Sequence, residues 1–328
     1  MFHLFAALIV TLIFGLPALG LSSISSVLPD SPIARAAFGV LAPVLYALGF
    51  VLVAGAVSRP FQRSIVPGSM PRDLATKAYR NRRYYGLCWT AVFYFTPIYW
   101  MFLSIPPLKR LLFRLFGYRG TMNFVVYPDT WIRDLPLLEF GEGAYVANKA
   151  SLGTNVCLND GTILVDRIVL GRGTMVGHLS MLAPGVVMDE GAEVGVGVAI
   201  GMRVHVGADA SIAGFCSVNH RTHLDEGAAL GTAVNVGAGC RIGKAVRIPS
   251  YTTVPNRARW STQDAADAAR KPAPTTRVGA PGACDGEAPT AASGDATITR
   301  PTSTAHGKAS HEVLSETGGF RAYWNAFE

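Results

Sequence analysis

The sequence has little charge for its length. Only 16% of its 328 residues are Asp, Glu, Lys or Arg, whereas half are hydrophobic, a balance too apolar for an ordinary soluble protein. Cysteine is also scarce: the five cysteines are Cys88, Cys157, Cys216, Cys240 and Cys284. Their spacing forms no pairs, which argues against a disulfide framework and against a zinc site and suits a reducing compartment. We therefore expect no metal.

No Lys or Arg precedes the first apolar run, as a secretory signal would normally require. Residues 2–21 are uncharged and about long enough to cross a bilayer, and residues 33–57 form a second such run. The loop between the runs carries little charge, as an external loop should. We predict two transmembrane helices in residues 1–57, with a cleaved signal as the alternative.

Residues 58–131 combine basic clusters with aromatic side chains. The aromatic stretch 85–106 is interrupted by Pro97 and has basic residues at both ends, and basic residues favour the cytoplasmic side. We predict a re-entrant or interfacial segment with both ends cytoplasmic. The next segment, LKRLLFRLF (108–116), has the pattern of an amphipathic helix on an anionic membrane surface.

The net charge of +7 is then explained by the basic residues on either side of the aromatic stretch and in segment 108–116, which we expect to face membrane lipid. Nucleic acid is not an expected partner, because no basic residues are interleaved with a recognition fold. From about Ser261 the chain is rich in Ala, Pro, Thr, Ser and Gly, and we predict a disordered tail over residues 257–328. Its aromatic end, GGFRAYWNAFE, is either a docking motif or a frayed terminus.

A six-residue repeat runs from Phe140 to Val254. Every sixth residue is large and apolar, a small or β-branched residue follows four positions later, and the position directly after the apolar residue is often Gly. Six residues do not fit the 3.6-residue period of an α-helix. They fit a short strand and a tight turn, repeated and stacked so that a continuous apolar column is buried. Cys216 and Cys240 occupy the small inward position, which favours a core role.

The hexapeptide Leu/Ile/Val-Gly-x-x-Ser/Thr/Ala/Val-x, over residues 132–256, resembles the left-handed parallel β-helix of the hexapeptide-repeat acyltransferases. The segment RLFGYRGTMNFVVYPDTWIRDLPLLEFGEGAYV is similar to the entry of their membrane-associated and sugar O-acetyltransferase branches. Anchors followed by a β-helix also resemble the C-terminal part of non-ribosomal peptide synthetases of the poly-ε-lysine type. The resemblance implies a mainly β fold, a left-handed parallel β-helix preceded by transmembrane α-helices. It also implies acetyl-CoA or another acyl-CoA as co-substrate and a homotrimer of β-helices packed side by side.

In that family three hexads form one coil, so residues 18 apart should stack. One column then carries basic and histidine side chains: Lys149, Arg167, Arg203, Arg221 and Arg257, with His205, His223 and Arg241 beside them. Stacked arginines repel each other unless an anion binds, and Arg suits phosphate. The expected acyl-CoA-binding residues are Arg203, Arg221, Arg241, Arg257 and Gly237. Another column is apolar and needs a cover, either by a second chain or by the membrane segments: Leu179, Phe215, Tyr251, Met181 and Ile163.

Acyl transfer to a hydroxyl or amine needs a base, for which histidine is the usual choice. His220, in SVNHRTHLDEG, resembles the N-H-x-x pattern near the catalytic histidine of sugar N-acetyltransferases and is our first candidate. His178 is the second, with Asp160 expected one coil below it. In the family stretch W-I-G-x-x-x-x-I-x-P-G, which GTMVGHLSMLAPGVV resembles, the position of His178 varies.

His223 is a further candidate, because Asp225 could pair with it two residues along the strand. His205 is another, and a chain with no histidine base also stays open. TILVDR (162–167) lacks the histidine that poly-ε-lysine-type domains carry just before a similar segment, so either the base has moved or catalysis has been lost.

The function expected from the sequence is a membrane-anchored acyltransferase. It would be an integral protein of the inner or plasma membrane, with the β-helix on the cytoplasmic side. It would transfer an acetyl group from acetyl-CoA to a small-molecule acceptor, either a sugar, a lipid-linked intermediate or a secondary metabolite. One alternative is a non-catalytic β-helix that holds a partner at the membrane. Another is a γ-carbonic-anhydrase-like metal enzyme, which needs three converging histidines.

Overall fold

Two long apolar helices open the chain in the computed structural model, which describes residues 2–268. They are α1 (Phe2–Val27) and α2 (Pro32–Gln62), each with a mean hydropathy of 2.4 over its most apolar window. Phe5 contacts Phe61 and Phe14 contacts Phe50, so the two helices run antiparallel. Both are long and apolar enough to cross a bilayer, which confirms two N-terminal helices of the predicted kind.

A bent helix pair follows. Helix α3 (Lys77–Tyr94) and helix α4 (Thr96–Ser104) meet at an angle of 83°. Pro97 lies in the first turn of α4, where the absence of an N–H is tolerated, and the bend separates the two helices at this point. By length and composition the pair is either one broken span or a re-entrant loop, so the predicted re-entrant topology stays a prediction.

The last helix before the β domain, α5 (Pro106–Leu115), is amphipathic as predicted, but its apolar side is covered by protein. Leu112 and Phe113 are fully buried, and Phe113 contacts Tyr118 and Phe124. On the polar side, Arg114 donates to two backbone carbonyls of the following loop, at 3.0 Å each. The expectation that this apolar face lies on lipid was therefore wrong, because the face closes the end of the β domain.

The β domain is a parallel solenoid with three sheets of seven strands each. Sheet 1 contains β2 (Phe124–Val126), β5 (Ala144–Val146), β10 (Met175–Val176), β13 (Glu193–Val194), β16 (Ser211–Ile212), β19 (Ala229–Leu230) and β22 (Arg247–Ile248). Sheet 2 contains β3 (Trp131–Ile132), β6 (Ser151–Leu152), β11 (Met181–Leu182), β14 (Ala199–Ile200), β17 (Ser217–Val218), β20 (Asn235–Val236) and β23 (Thr253–Val254). Sheet 3 contains β4 (Leu138–Phe140), β9 (Ile168–Leu170), β12 (Val187–Met188), β15 (His205–Val206), β18 (His223–Leu224), β21 (Arg241–Ile242) and β24 (Arg259–Trp260).

Each hexad forms one short strand and one turn, which confirms the predicted parallel β-helix. From β9 onward the large apolar residue of each hexad points inward and is buried, as Leu182 and Ile200 show with no exposed surface. Many turns place a residue in the left-handed backbone region, where glycine is most easily accommodated. Within the three sheets, every strand bonds to the strand one coil away, so the apolar column is continuous.

The predicted register contains one error. Strands β7 (Asn155–Cys157) and β8 (Thr162–Val165) form an antiparallel hairpin outside the stack, and β8 also pairs with β1 (Gly68–Pro71). Across this hairpin the coil partner of Val146 is Val176, which is 30 rather than 18 residues away. The extra 12 residues equal two hexads, so an insertion of this length leaves the six-residue periodicity undisturbed.

Four predicted positions change because of the hairpin. Asp160 lies at the hairpin turn rather than one coil below His178, and Ile163 is buried within the hairpin rather than on the apolar column. Lys149 belongs to the corner between sheets 1 and 2, since the backbone of Leu179 stacks on it. Arg167 closes the hairpin and binds Glu139.

Helix α3 is fastened to the first coil by buried polar contacts. The Trp89 indole donates to the Ile132 carbonyl at 2.7 Å, and Arg82 forms a buried ion pair with Asp134. Arg82 belongs to the basic cluster before the aromatic stretch, which was expected to face lipid. For Arg82 this expectation was wrong, because its side chain is only 4% exposed. Asp134 also accepts from the Thr154 hydroxyl at 2.7 Å. Burial alone would raise the pKa of Asp134, but Arg82 and Arg133 together lower it below its ordinary value.

The solenoid ends later than the sequence indicated. Strand β24 lies beyond residue 256, and a short helix, α6 (Gln263–Ala268), follows it. Gln263 caps this end by bonding both the N–H and the carbonyl of Arg247, at 2.8 and 3.0 Å. The predicted disorder of the tail concerns mainly residues 269–328, outside the described residues.

Candidate active site on the third sheet

Two stacked histidines lie on the outer surface of sheet 3. His205 and His223 are direct partners on neighbouring strands, and their Nδ1 atoms are 3.0 Å apart. The outer Nε2 of His205 lies 2.7 Å from an Asp189 oxygen, and that of His223 lies 2.9 Å from an Asp225 oxygen. We call His205 and His223 the histidine pair. Each ring is thus held by its own carboxylate, and the predicted pairing of His223 with Asp225 is present.

The hydrogen bonds determine where protons can reside on this pair. A carboxylate only accepts, so each Nε2 carries a proton and each Nδ1 is left with a lone pair directed toward the other. One proton fits between the two Nδ1 atoms, and a second does not. Burial, and then the neighbouring His205, lower the pKa of His223 below its ordinary value of 6.5. The unprotonated form of His223 is therefore favoured at neutral pH.

An arginine corner borders the histidine pair. Its members are Arg203, Arg221 and Arg257, which share the left-handed turn position between sheets 2 and 3 with Gly185 and Gly239. Each backbone N–H in this column bonds to the coil before it, for example Arg221 N to Met202 O at 2.8 Å. The histidines follow two residues after Arg203 and Arg221, so the corner and the pair lie side by side.

The expected acyl-CoA-binding residues differ in whether they already form salt bridges or are needed for packing. Arg203 lies 3.4 Å from Asp166, and Arg241 binds Asp225 at 3.2 Å. Among residues 2–268, Arg221 and Arg257 form no salt bridge, so they carry the unneutralised charge of this corner. Gly237 lies inside the stack, where an added Cβ would approach the Asn256 backbone N to 2.6 Å, so this position requires glycine for packing.

His220 lies at the same corner, but its bonding opposes a role as base. Its Nδ1 accepts from the Met202 N–H at 2.9 Å, so a neutral ring carries its proton on Nε2 and has no free lone pair. Burial, and then the adjacent Arg221, lower the pKa of His220. The ring is therefore neutral at physiological pH and donates from Nε2. This geometry fits a residue that orients a ligand better than one that removes a proton.

His178 and Asp160 are not brought together. The coil partner of the His178 turn is Asn148, whose carbonyl accepts from Leu179 N, while an Asp160 oxygen accepts from Thr162 N at 2.8 Å within the hairpin turn. The cause is the 12-residue insertion described above. His178 lies at the corner that carries the exposed apolar side chains, away from the arginine corner.

Sequence reasoning missed Asp189, which holds His205. Asp189 precedes His205 by 16 residues, and Asp225 precedes Arg241 by the same number. A search for acidic residues two positions short of one coil would have found both contacts. Among residues 2–268, no group of three or more His, Cys, Asp or Glu side chains is arranged to hold a metal ion.

No family model matches the chain, and no curated protein matches it. Solved structures to which the chain is similar include UDP-N-acetylglucosamine acyltransferase of Francisella novicida, at 16% identity over 42% of this chain and 59% of that one, with a TM-score of 0.37. Another is a mutant GDP-perosamine N-acetyl transferase of Caulobacter crescentus in complex with CoA and GDP-perosamine, at 19% identity over 47% and 58% and a TM-score of 0.22. A third is serine acetyltransferase of Neisseria gonorrhoeae in complex with serine, at 15% identity over 74% and 80% and a TM-score of 0.16. This chain spans less than two thirds of the first two, and likeness at these identities concerns the fold alone.

Proposed function

We propose that the protein is a membrane-anchored acyltransferase that uses an acyl-CoA and whose chemistry takes place at the histidine pair. The observation that carries this proposal is the pair itself, two rings 3.0 Å apart, each fixed by a carboxylate. A paired carboxylate orients an imidazole and stabilises its protonated form, the arrangement that a general base needs. The resemblance of the hexapeptides to those of acyltransferases gives the class of reaction.

The proposed reaction moves one proton in and out of the pair. The unprotonated His223 removes the proton from the acceptor hydroxyl or amine as that atom attacks the thioester carbonyl. The carbon–sulfur bond then breaks, and the same proton passes from the pair to the leaving thiolate. Products are the acylated acceptor and free CoA. The side chains of His205 and His223 are 36% and 38% exposed, so an acceptor can approach the histidine pair from solvent.

The arginine corner is the proposed site for the phosphates of the acyl-CoA. Arg221 and Arg257 are exposed and project from the corner beside the histidine pair. A guanidinium binds phosphate oxygens in a bidentate manner, and binding would offset the repulsion of the stacked charges. Acetyl-CoA is the co-substrate we favour, and the acceptor would be a sugar, a lipid-linked intermediate or a secondary metabolite.

We further propose a homotrimer, assembled through the apolar corner between sheets 1 and 2. Leu179, Phe215 and Tyr251 share this corner, and they are 51%, 69% and 82% exposed. An aligned row of large apolar side chains at such exposure favours cover by a partner. The predicted cytoplasmic location of the solenoid stays part of the proposal, supported by the basic residues where α2 ends.

The test uses the full-length protein in detergent with radiolabelled acetyl-CoA and a membrane lipid extract. Label in the acceptor and free thiol from CoA are measured together. Because a general base contributes roughly 100- to 10,000-fold, His223→Asn should lower turnover by about a hundredfold or more. The same exchange at His178, at the opposite corner, should leave turnover nearly unchanged.

Three outcomes would change the assignment. Full activity of the His223 variant would remove the pair from the mechanism. Loss of activity only in a His220→Asn variant would restore the first candidate from the sequence. If the wild-type chain neither binds acetyl-CoA nor releases CoA, the non-catalytic scaffold is the correct description.

A further inference from the structure

An open basic groove lies at the foot of sheet 3, where helix α2 ends. Its main chamber has a volume of about 830 Å³, and a side chamber of about 280 Å³ shares four lining residues with it. The charged residues that line the two chambers are four arginines and one carboxylate: Arg59, Arg63, Arg119, Arg167 and Glu139. We call this cavity the basic groove. We propose that it binds the phosphate headgroup of a membrane lipid and is the acceptor site, a role that rests on the proposed acyltransferase function.

The charge of the basic groove is not neutralised from within. Glu139 binds Arg167 at 2.9 Å, which accounts for one of the four cations. In the part of the chain that the structure describes, Arg59, Arg63 and Arg119 form no salt bridge. Three gathered cations repel one another unless an anion joins them. Arginine forks match phosphate oxygens in geometry and charge.

The basic groove lies at the level where the chain leaves the apolar region of α2. Arg59 and Arg63 follow directly on the apolar run that ends at Val57. The Gln62 side chain donates to the Leu115 carbonyl at 2.6 Å, which joins the end of α2 to the end of α5. The cations are therefore held at the membrane-proximal end of the solenoid, where lipid headgroups lie.

The lining of the basic groove is amphiphilic. Beside the arginines lie Ile65, Val66 and Pro67, on the loop after α2, and Val66 is 53% exposed. A soluble phosphate compound has no apolar surface to bury against this wall, whereas the first methylenes of a lipid chain would pack against it. This combination favours a lipid over a free phosphate.

The basic groove also connects to the histidine pair. Glu139 and Val169, outward residues of the first two strands of sheet 3, form part of its wall. Val169 stacks on Val187, and Val187 stacks on His205. At about 4.8 Å per strand, His205 lies roughly 10 Å above the groove wall. A headgroup that extends one sugar-sized unit beyond its phosphate would reach the pair.

The experiment measures binding to the purified full-length protein in a neutral detergent. The probes are dioctanoyl phosphatidic acid, dioctanoylglycerol and inorganic phosphate. We expect the phosphatidic acid to bind, and the other two to bind at least about tenfold more weakly, because each lacks one half of the recognised chemistry. In Arg63→Gln/Arg119→Gln the affinity for phosphatidic acid should fall about tenfold or more. The matched control is Arg247→Gln, an exposed arginine on sheet 1, which should bind as the wild type does.

Two results would overturn the proposal. One is equal affinity of the double variant and the wild type for phosphatidic acid. The other is inorganic phosphate binding as tightly as the lipid, which would assign the groove to a soluble phosphate compound. The assay needs no turnover, so it is independent of the acyltransferase proposal. If the His223→Asn protein binds lipid normally but transfers no acyl group, the result supports both the lipid site and the acyltransferase site. If the His223→Asn protein is fully active, the histidine pair is not the acyltransferase site, and the lipid-binding proposal is unaffected.

Discussion

Removing one partner of the buried ion pair between Arg82 and Asp134 should destabilise the joint between α3 and the solenoid more than breaking any surface pair does. The Asp134 side chain is fully buried and that of Arg82 is 4% exposed, and Asp134 also accepts from Thr154. In Asp134→Asn the size and the tolerance for a left-handed backbone are kept, and φ at this position is 52°. The Arg82 cation, however, is left buried without its counter-charge.

The expected loss is large. Removing one partner of a buried pair costs about 3–5 kcal/mol, because the remaining charge stays desolvated. At the lower end of about 2–4 °C per kcal/mol, since the chain is longer than the 150–250 residues for which that range holds, this corresponds to a fall of roughly 6–10 °C in the midpoint of thermal unfolding. The control is Glu190→Gln, which breaks the Arg172–Glu190 pair, whose side chains are 67% and 59% exposed. Exposed pairs contribute about 0–1 kcal/mol, so this midpoint should hardly move.

The assay follows the β-sheet signal by circular dichroism of the full-length protein in detergent. Arg82→Met combined with Asp134→Asn should recover part of the loss, because the unpaired cation is removed. The pKa of Asp134 is lowered in the folded state, so its stabilisation is complete above the unfolded pKa of about 3.9 and is lost only as the pH falls through the lower folded value. A midpoint for Asp134→Asn equal to that of Glu190→Gln would refute this reasoning.

Further predictions concern the repeat, the apolar corner and the pair. Leu182→Ala, in the fully buried stack, should lower the free energy of unfolding by about 2–5 kcal/mol, whereas Leu158→Ala, in the half-buried hairpin, should lower it clearly less in the same unfolding assay. Phe215→Asp with Tyr251→Asp should convert a trimer to monomers in sedimentation experiments, and an unchanged mass would contradict the role of that corner. Because the pKa of His223 is lowered from 6.5, acyl transfer should hold steady through neutral pH and decline only below about pH 6.5. A decline that begins well above that value would point to a different base.

The parts of the fold that could be predicted are those in which large apolar residues recur at a fixed spacing in the sequence. Leu170 through Ile200 are buried every sixth residue, and that spacing alone indicates a stack of strands and turns. The hairpin at β7 and β8 could not be found in this way, since two extra hexads leave the period unchanged. Buried polar contacts are equally invisible to periodicity, because the partner of Arg82 lies 52 residues away.

In the candidate site, too, spacing predicted some features and not others. The 18-residue spacing of His205 and His223 correctly predicted that they stack, because no insertion lies between them. The spacing could not show which histidine is best suited to act as the base, because that depends on hydrogen bonds. The Nδ1 lone pair of His220 accepts from the Met202 N–H, whereas the Nδ1 lone pairs of His205 and His223 face each other. Distances of this kind arise from backbone turns, and composition does not report them.

The hairpin that the repeat conceals also joins the solenoid to the N-terminal helical region. Strand β8 pairs with β1 in the segment that follows α2, and Asn155 of the hairpin accepts from Arg82 of α3 at 2.9 Å. The hairpin ends at Arg167, which lines the basic groove. A solenoid joined to its helices by a flexible linker could tilt freely, and the height of sheet 3 above the end of α2 would vary. With these contacts that height is set. Under the proposed function, a lipid headgroup held by Arg63 and Arg119 would then meet the histidine pair at one distance, as acyl transfer between a membrane-bound acceptor and a soluble donor would require.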